Sequence, residues 1–253
     1  MRDVPAVLAG LAPIPDADFS EFGPVEITDL PRIQQLTGAF LGRNWVTIPH
    51  VTHHDEVDVT DTERRRHAWN TDHADTKITP VALLVLALAR ALRDNPKFNA
   101  SLGADGKSLV QKAYVNIGVA VDTPKGLMVP VLRGVDDKTL TGIARELAAL
   151  AEKARGKGLS MAEMSGGCIT LSSLGHIGGT AFTPIINAPE VAVLGAVAIQ
   201  IRPAPDADGA VVWRKMLPLS LSYDHRVING ADAARFVKSV GAALADPTLF
   251  EQA

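Results

Sequence analysis

Apolar residues recur along the chain with two different periods, and the switches between them mark helices and strands. Ile33, Leu36, Phe40 and Leu41 stand at helical spacing behind Thr28, Asp29 and Pro31, a cap followed by proline in the first turn. They predict a helix over roughly 29–42. From Trp45 to Val59 the pattern turns to alternation (Val46, Ile48, Val51, Val57, Val59), the period of a strand, with Pro49 pointing to an edge or a bulge. Thr79-Pro80 opens a strongly apolar helix that Asn95-Pro96 closes after about Asp94.

Val115, Ile117, Val119 and Val121 alternate with Asn116, Gly118, Ala120 and Asp122, and Thr-Pro-Lys-Gly then turns the chain into Leu127–Leu132, which reads as a hairpin. Its second face carries only small or polar groups, so a ligand or another chain can approach the backbone closely, with Asp122 at the rim. An amphipathic helix is expected over Leu140–Arg155, and strands over Gly167–Leu171, Val191–Ile201 and Val211–Tyr223. A last helix after Gly230 places Ala233, Phe236, Val237, Val240 and Leu244 on one stripe. The fold class is therefore mixed α/β with a largely non-parallel sheet. Residues 1–24 mix Ala and Pro with Asp and lack periodicity, as in a linker or an arm lying on a neighbour, so the folded domain is placed at 25–253.

Composition narrows the function classes. A hydrophobic share of 47% over 253 residues is enough for one compact core. A net charge of −3 gives no cationic excess for nucleic acid, and aromatics at 5% are too sparse for base-stacking platforms. The most apolar stretch, Val81–Leu92, is too short to span a bilayer and contains Arg90, so no membrane role is expected. The single cysteine and the absence of a basic-then-apolar leader point to a cytoplasmic or mitochondrial-matrix setting.

The candidate chemistry begins at the end of the last strand. Leu217, Leu219, Leu221, Tyr223 and His225 share one face by alternation, so an aliphatic face ends in an imidazole that partial burial would keep neutral and basic. Asn229 follows with an amide for nearby groups, and Gly230 with a tight entry to the helix. By itself a histidine at a strand end is more often structural, and Asp224 with Arg226 can be a local ion pair.

A second segment, Gly-Gly-Cys-Ile-Thr-Leu-Ser-Ser-Leu-Gly-His-Ile-Gly-Gly-Thr-Ala-Phe-Thr-Pro-Ile-Ile-Asn-Ala-Pro-Glu from Gly166 to Glu190, changes the balance. With Arg43–Thr52, Val121–Leu127 and the His-x-x-x-Asn-Gly run from His225, it resembles the catalytic domain of the dihydrolipoyl acyltransferases of 2-oxo acid dehydrogenase complexes, closest to the acetyl-transferring branch of pyruvate dehydrogenase. The resemblance implies a chloramphenicol acetyltransferase-like fold and a homotrimer with its active site in a channel between subunits. Coenzyme A would enter from one side and the lipoyl group, carried on a separate domain, from the other. His225 would then be the general base, Ser172 the oxyanion donor and Asn229 a hydrogen-bonding partner where many relatives carry aspartate. Asp122, Asp224, Arg226 and Gly230 would support the site. It implies as partners the lipoyl domains and the decarboxylase and dihydrolipoyl dehydrogenase components. Relatives carry lipoyl and partner-binding domains upstream, so the chain is expected to be a core cut from a longer protein. A cubic or other cage is less secured than the trimer, because Leu249-Phe250 precedes Glu-Gln-Ala instead of a short apolar tail.

Other signals carry less. His53 and His54 of the cluster His50, His53, His54 and Asp55 point to opposite faces of a strand, so no metal is expected. Arg64, Arg65 and Arg66 read as a solvated helix face, the Gly175–Gly179 run as a backbone turn, and Cys168 as a small hydrophobe, which favours direct transfer without an acyl-enzyme. The alternatives left open are an acyltransferase for another acyl group or acceptor and a non-catalytic scaffold core.

Overall fold

A computed structural model describes residues 15–124 and 126–251. The arm expected over 1–24 lies outside the described residues as far as residue 14. Residues 15–24 are exposed, with one 3₁₀ turn, Phe19–Phe22, capped by Asp18. In chain order the elements are α1 (Arg32–Thr47), β1 (His50–Asp58), α2 (Thr60–Asp72), α3 (Pro80–Asp94), β2 (Ala100–Leu102), β3 (Leu109–Gln111), β4 (Ile117–Val119) and β5 (Val131–Leu132). They continue with α4 (Leu140–Arg155), β6 (Ile169–Ser173), β7 (Ala192–Ala196), β8 (Gln200–Pro205), β9 (Val211–Asp224) and α5 (Gly230–Ala245).

One sheet runs β1-β9-β7-β6-β4-β5, with β8 paired to the first half of β9 beside β7, while β2 and β3 form a separate hairpin. β4–β6 and β6–β7 are parallel and the other pairings antiparallel, the mixed order expected of the fold class. The two faces of β9 differ in kind. Leu217, Leu219, Leu221 and Tyr223 enter the aliphatic core with Leu84, Leu88 and Leu92 of α3 and Phe236 of α5. Ser220, Ser222 and Asp224 face the other way and are also buried. α3 is the central helix, packing against both α4 and α5, and Thr79 caps it by accepting from the Ala82 N–H at 3.2 Å. The stripe expected on the last helix is buried as a whole.

Several boundaries differ from the sequence reading. α1 starts at Arg32 with Pro31 at its cap position and no side-chain capping bond, and it continues through Trp45 and Val46, which alternation had assigned to a strand. The backbone bond from Ile48 N–H to the Asn44 carbonyl, 3.0 Å, carries the helical ladder past them, and both side chains are exposed. β1 therefore begins at His50, as an edge strand with Pro49 just outside it. The run 191–201 divides into β7 and the start of β8. α2 and the β2–β3 hairpin were not anticipated, because α2 buries only Thr62 and Glu63 and so shows no apolar period.

Candidate functional site

β6 carries Thr170 and Ser172 on the sheet face that points away from the helical core. Its register places Ser172 opposite Gly195 of β7, and Gly195 opposite Ser220 of β9. Above this row lies a cavity of about 630 Å³. α1 supplies one wall through Ile33 and Phe40, and Thr170, Ser172, Phe182 and Asn187 line it from the sheet side. Ser173 is not among the lining residues. Its Oγ accepts from the Gly175 N–H, so of the two adjacent serines only Ser172 faces the cavity. Gly195 is required by a close approach: a Cβ there would stand 2.6 Å from Cζ of Phe182, which lines the cavity with Ser172.

The segments read as motifs build this cavity. Asn44, buried in α1, donates from Nδ2 to the Ile186 carbonyl at 2.9 Å, and His50 Nε2 accepts from the Ile186 N–H at 3.0 Å. His50 Nδ1 then donates to the Ile48 carbonyl at 2.8 Å. Arg43–Thr52 and Gly166–Glu190 therefore meet at Ile186, which pins the otherwise exposed α1 over the sheet. His54 Nδ1 meets Ser220 Oγ at 2.9 Å, so two of the clustered histidines serve the hydrogen-bond frame.

His225 lies in the turn that follows β9, with its N–H donating to the Pro49 carbonyl at 3.1 Å and its ring 5.8 Å from that of Tyr223. The expected partial burial is not found within one chain. The strand stops at Asp224, the turn swings the imidazole off the aliphatic face, and it is exposed. Asp224 is buried and pairs with Arg226, Oδ2 to Nη2 at 2.6 Å, and also accepts from the Arg226 N–H at 3.0 Å. The ion pair thus closes the turn around His225, and the Asp224 carboxylate raises the Arg226 guanidinium above its ordinary pKa. Asn229 caps α5, its Oδ1 accepting from the Asp232 N–H at 2.8 Å, so its amide hydrogens are what it can offer a ligand. Gly230 does not provide the tight entry expected of it: its φ is not positive, and an added Cβ would meet only Tyr223 Oη at 3.7 Å, an ordinary contact.

Ser172 and His225 do not come together within the chain. Ser172 is two strands from Ser220, Asp224 ends β9 four residues beyond Ser220, and His225 follows in the turn. Strand spacings of about 4.8 Å and a rise of about 3.3 Å per residue put Asp224, next to His225, roughly 16 Å from Ser172.

Asp122 is exposed at the end of the expected hairpin and does not line the cavity, although Ala120 and Leu127 do. Thr123 closes the turn by donating from Oγ1 to the Gly126 carbonyl at 2.6 Å, and Lys125 of that turn lies outside the described residues. Cys168 is fully buried and burial pushes its thiol pKa up, the state of a packing residue. The arginine run is not uniformly solvated, since Arg66 turns inward to pair with buried Glu63 at 2.6 Å. Among the described residues no group of three or more His, Cys, Asp or Glu is arranged to hold a metal, and no helix is long and apolar enough to cross a membrane.

Sequence reasoning passed over Thr170, Asn187 and Glu190. Glu190 is buried behind the cavity wall, where its Oε2 accepts from Thr170 Oγ1 at 2.6 Å and Asn187 Nδ2 stands 3.5 Å from Oε1. Burial pushes its carboxyl up to about 7, against the lowering effects of the Thr170 hydrogen bond and Lys112. The available signal was the two-residue spacing from Ser172, which puts Thr170 on the same face.

Residues 23–251 match the family described as 2-oxoacid dehydrogenases acyltransferase (catalytic domain). The chain is 54% identical over 240 residues to the dihydrolipoyllysine-residue acetyltransferase component of the pyruvate dehydrogenase complex of Pseudomonas aeruginosa, a match covering 94% of this chain and 44% of that protein. It therefore spans less than half the length of that curated relative. Azotobacter vinelandii dihydrolipoamide acetyltransferase, studied crystallographically and enzymatically for the role of a serine, a histidine and an asparagine in its catalytic mechanism, has a structure similar at TM-score 0.91 and 50% identity over 94% of this chain and 98% of that one. The cubic core of a pyruvate dehydrogenase multienzyme complex matches with the same score, identity and coverage. Chloramphenicol acetyltransferase, 16% identical with a TM-score of 0.57 over 87% of this chain and 99% of that one, shares the fold. Over residues 23–251 the chain belongs to the 2-oxoacid dehydrogenase acyltransferase family, in its catalytic domain.

Proposed function

We infer that the chain transfers an acetyl group between a dihydrolipoyl group and coenzyme A, and that each active site joins His225 of one copy to Ser172 of another. The observation that carries this reading is the separation of roughly 16 Å along one sheet between Ser172 on the cavity wall and Asp224, the last strand residue before the exposed His225. Two such half-sites serve chemistry only if a second copy brings them together, as a homotrimer does. The solved cores and the relative studied for a serine, a histidine and an asparagine support this choice of residues, with Asn229 as the third.

In the reaction His225 takes the proton of the attacking thiol, and the thiolate forms a bond to the thioester carbonyl carbon. Ser172 donates its hydroxyl to the oxyanion that develops. Collapse breaks the carbon–sulfur bond to the leaving thiolate, which takes from the imidazolium the proton that the attacking thiol gave up. The sequence is reversible, and no acyl-enzyme is formed. Lipoyl domains would deliver the acyl group, and the decarboxylase and dihydrolipoyl dehydrogenase components would be further partners. The trimer would serve as the building block of a cage. Residues 25–253 would act as the catalytic domain, with the segment before them as an arm, in the cytoplasm of a bacterium or the mitochondrial matrix.

The test is transfer from acetyl-coenzyme A to free dihydrolipoamide by the purified chain. We expect turnover that His225→Ala lowers by about 10²- to 10⁴-fold, the usual contribution of a general base. An inactive wild type, or a variant as fast as wild type, would overturn the assignment.

A further inference from the structure

Among the described residues, Glu190 is a buried carboxyl whose surroundings open onto the cavity without its being part of the transfer chemistry. Its Oε2 accepts from Thr170 Oγ1 at 2.6 Å, and Asn187 Nδ2 approaches both Oε1 and Thr170 Oγ1 at 3.5 Å. Thr170, Asn187 and Ser172 line the cavity together. The niche is cut to fit: a Cβ on Gly167 would stand 2.6 Å from Oε1, and one on Gly118 3.8 Å from it. The charged and titratable groups around it are few. Lys112, at the end of the β2–β3 hairpin, lowers the Glu190 pKa from a distance while its Nζ donates to the Gly167 carbonyl at 3.3 Å, and the Cys168 thiol is near enough to feel the charge.

A carboxylate only accepts hydrogen bonds, whereas a carboxylic acid also donates one, and a threonine hydroxyl has a single hydrogen to give. With Glu190 ionised, Thr170 spends that hydrogen on Oε2 and offers the cavity only a lone pair. With Glu190 protonated, the acid can donate to Thr170 Oγ1, and the threonine hydrogen is free to point into the cavity.

We propose that Glu190 is a positioning residue which sets whether Thr170 donates to, or accepts from, a substrate held beside Ser172. This rests on the reading of the cavity as the acyl-transfer site. The ligand chemistry it selects is an amide or thioester carbonyl when Glu190 is protonated and an N–H or S–H group when it is ionised. Burial places the switch near neutral pH.

Infrared spectroscopy of the purified chain tests this directly, through the carboxylic-acid carbonyl band that Glu190→Gln removes. We expect that band to titrate near pH 7, its midpoint to move in Thr170→Val, which keeps the shape but loses the hydroxyl, and to move again with saturating dihydrolipoamide. In steady-state transfer we expect KM to change about five-fold across that midpoint, the size of one hydrogen bond, in the wild type and not in Glu190→Gln. A missing band, or a midpoint indifferent to both Thr170→Val and dihydrolipoamide, would overturn the proposal whether or not transfer is observed. A KM that still changes about five-fold across that midpoint in Glu190→Gln would do the same. Absence of transfer at every pH would instead count against the catalytic reading.

Discussion

Glu190 bonds to Thr170, two residues from Ser172 on β6, yet physical chemistry asks different things of Glu190 and Ser172. Ser172 must be free to donate, and removing one such oxyanion donor costs about 10²- to 10³-fold in rate. Ser172→Ala should therefore lower kcat by that factor and leave the thermal midpoint close to wild type, since the residue is only half-buried; Ser173→Ala, whose hydroxyl faces away from the cavity, should leave kcat unchanged. Glu190 instead bears on stability. Its pKa rises from an ordinary 4.5 to about 7 on folding because burial disfavours the charge. Between those values the folded chain binds more protons than the unfolded one, so this group's contribution is fully present below about pH 4.5 and is lost as pH rises through about 7. The loss is on the order of 3 kcal/mol for a shift of that size. Glu190→Gln should flatten the decline, and denaturant titrations from pH 5 to 8 on wild type and variant would reveal a slope that is the same in both if the assignment is wrong.

At the scale of elements, α1 and α3 hold their places by opposite means. α3 buries leucines around most of its circumference and is capped by Thr79, so Thr79→Ala should cost about 1 kcal/mol and act as a uniform loss of stability. α1 buries only Asn44 and depends on the bond from that amide to the Ile186 carbonyl. Asn44→Ala leaves a buried carbonyl without its donor, at a cost of about 1–3 kcal/mol. Because α1 forms the cavity wall, that variant should also raise KM, whereas Thr79→Ala should not. Chemical denaturation together with KM measurements on both variants separates them; an equal KM in the two would mean that Asn44 does not hold the wall.

For the whole molecule the decisive quantity is the distance between the half-sites. If His225 and Ser172 meet only across a subunit boundary, then His225→Ala and Ser172→Ala chains, each strongly impaired alone, should regain activity when unfolded, mixed in equal amounts and refolded together. In a cyclic trimer assembled at random, a site needs an intact histidine on one side and an intact serine on the other, so roughly a quarter of the sites recover. Mixtures with no more activity than the separate variants would place both residues in one chain's site.

The sequence alone determined what local physics can encode. Period and caps placed α3, α4 and α5, and alternation placed the 115–132 hairpin and the inward face of β9; alternation admitted only one of Ser172 and Ser173 to the site, and the family resemblance chose Ser172. It misread Trp45 and Val46, whose alternation is that of a strand, because Asn44, a polar residue, is the one that α1 buries. Nor could it see α2, which lacks an apolar stripe, or Glu190, an acid buried against Gly118, Gly167 and Thr170, which are distant from it in sequence. Only the tertiary structure decided that His225 is exposed and far from Ser172. That separation arises from strand order and register, which are set by contacts between residues distant in sequence.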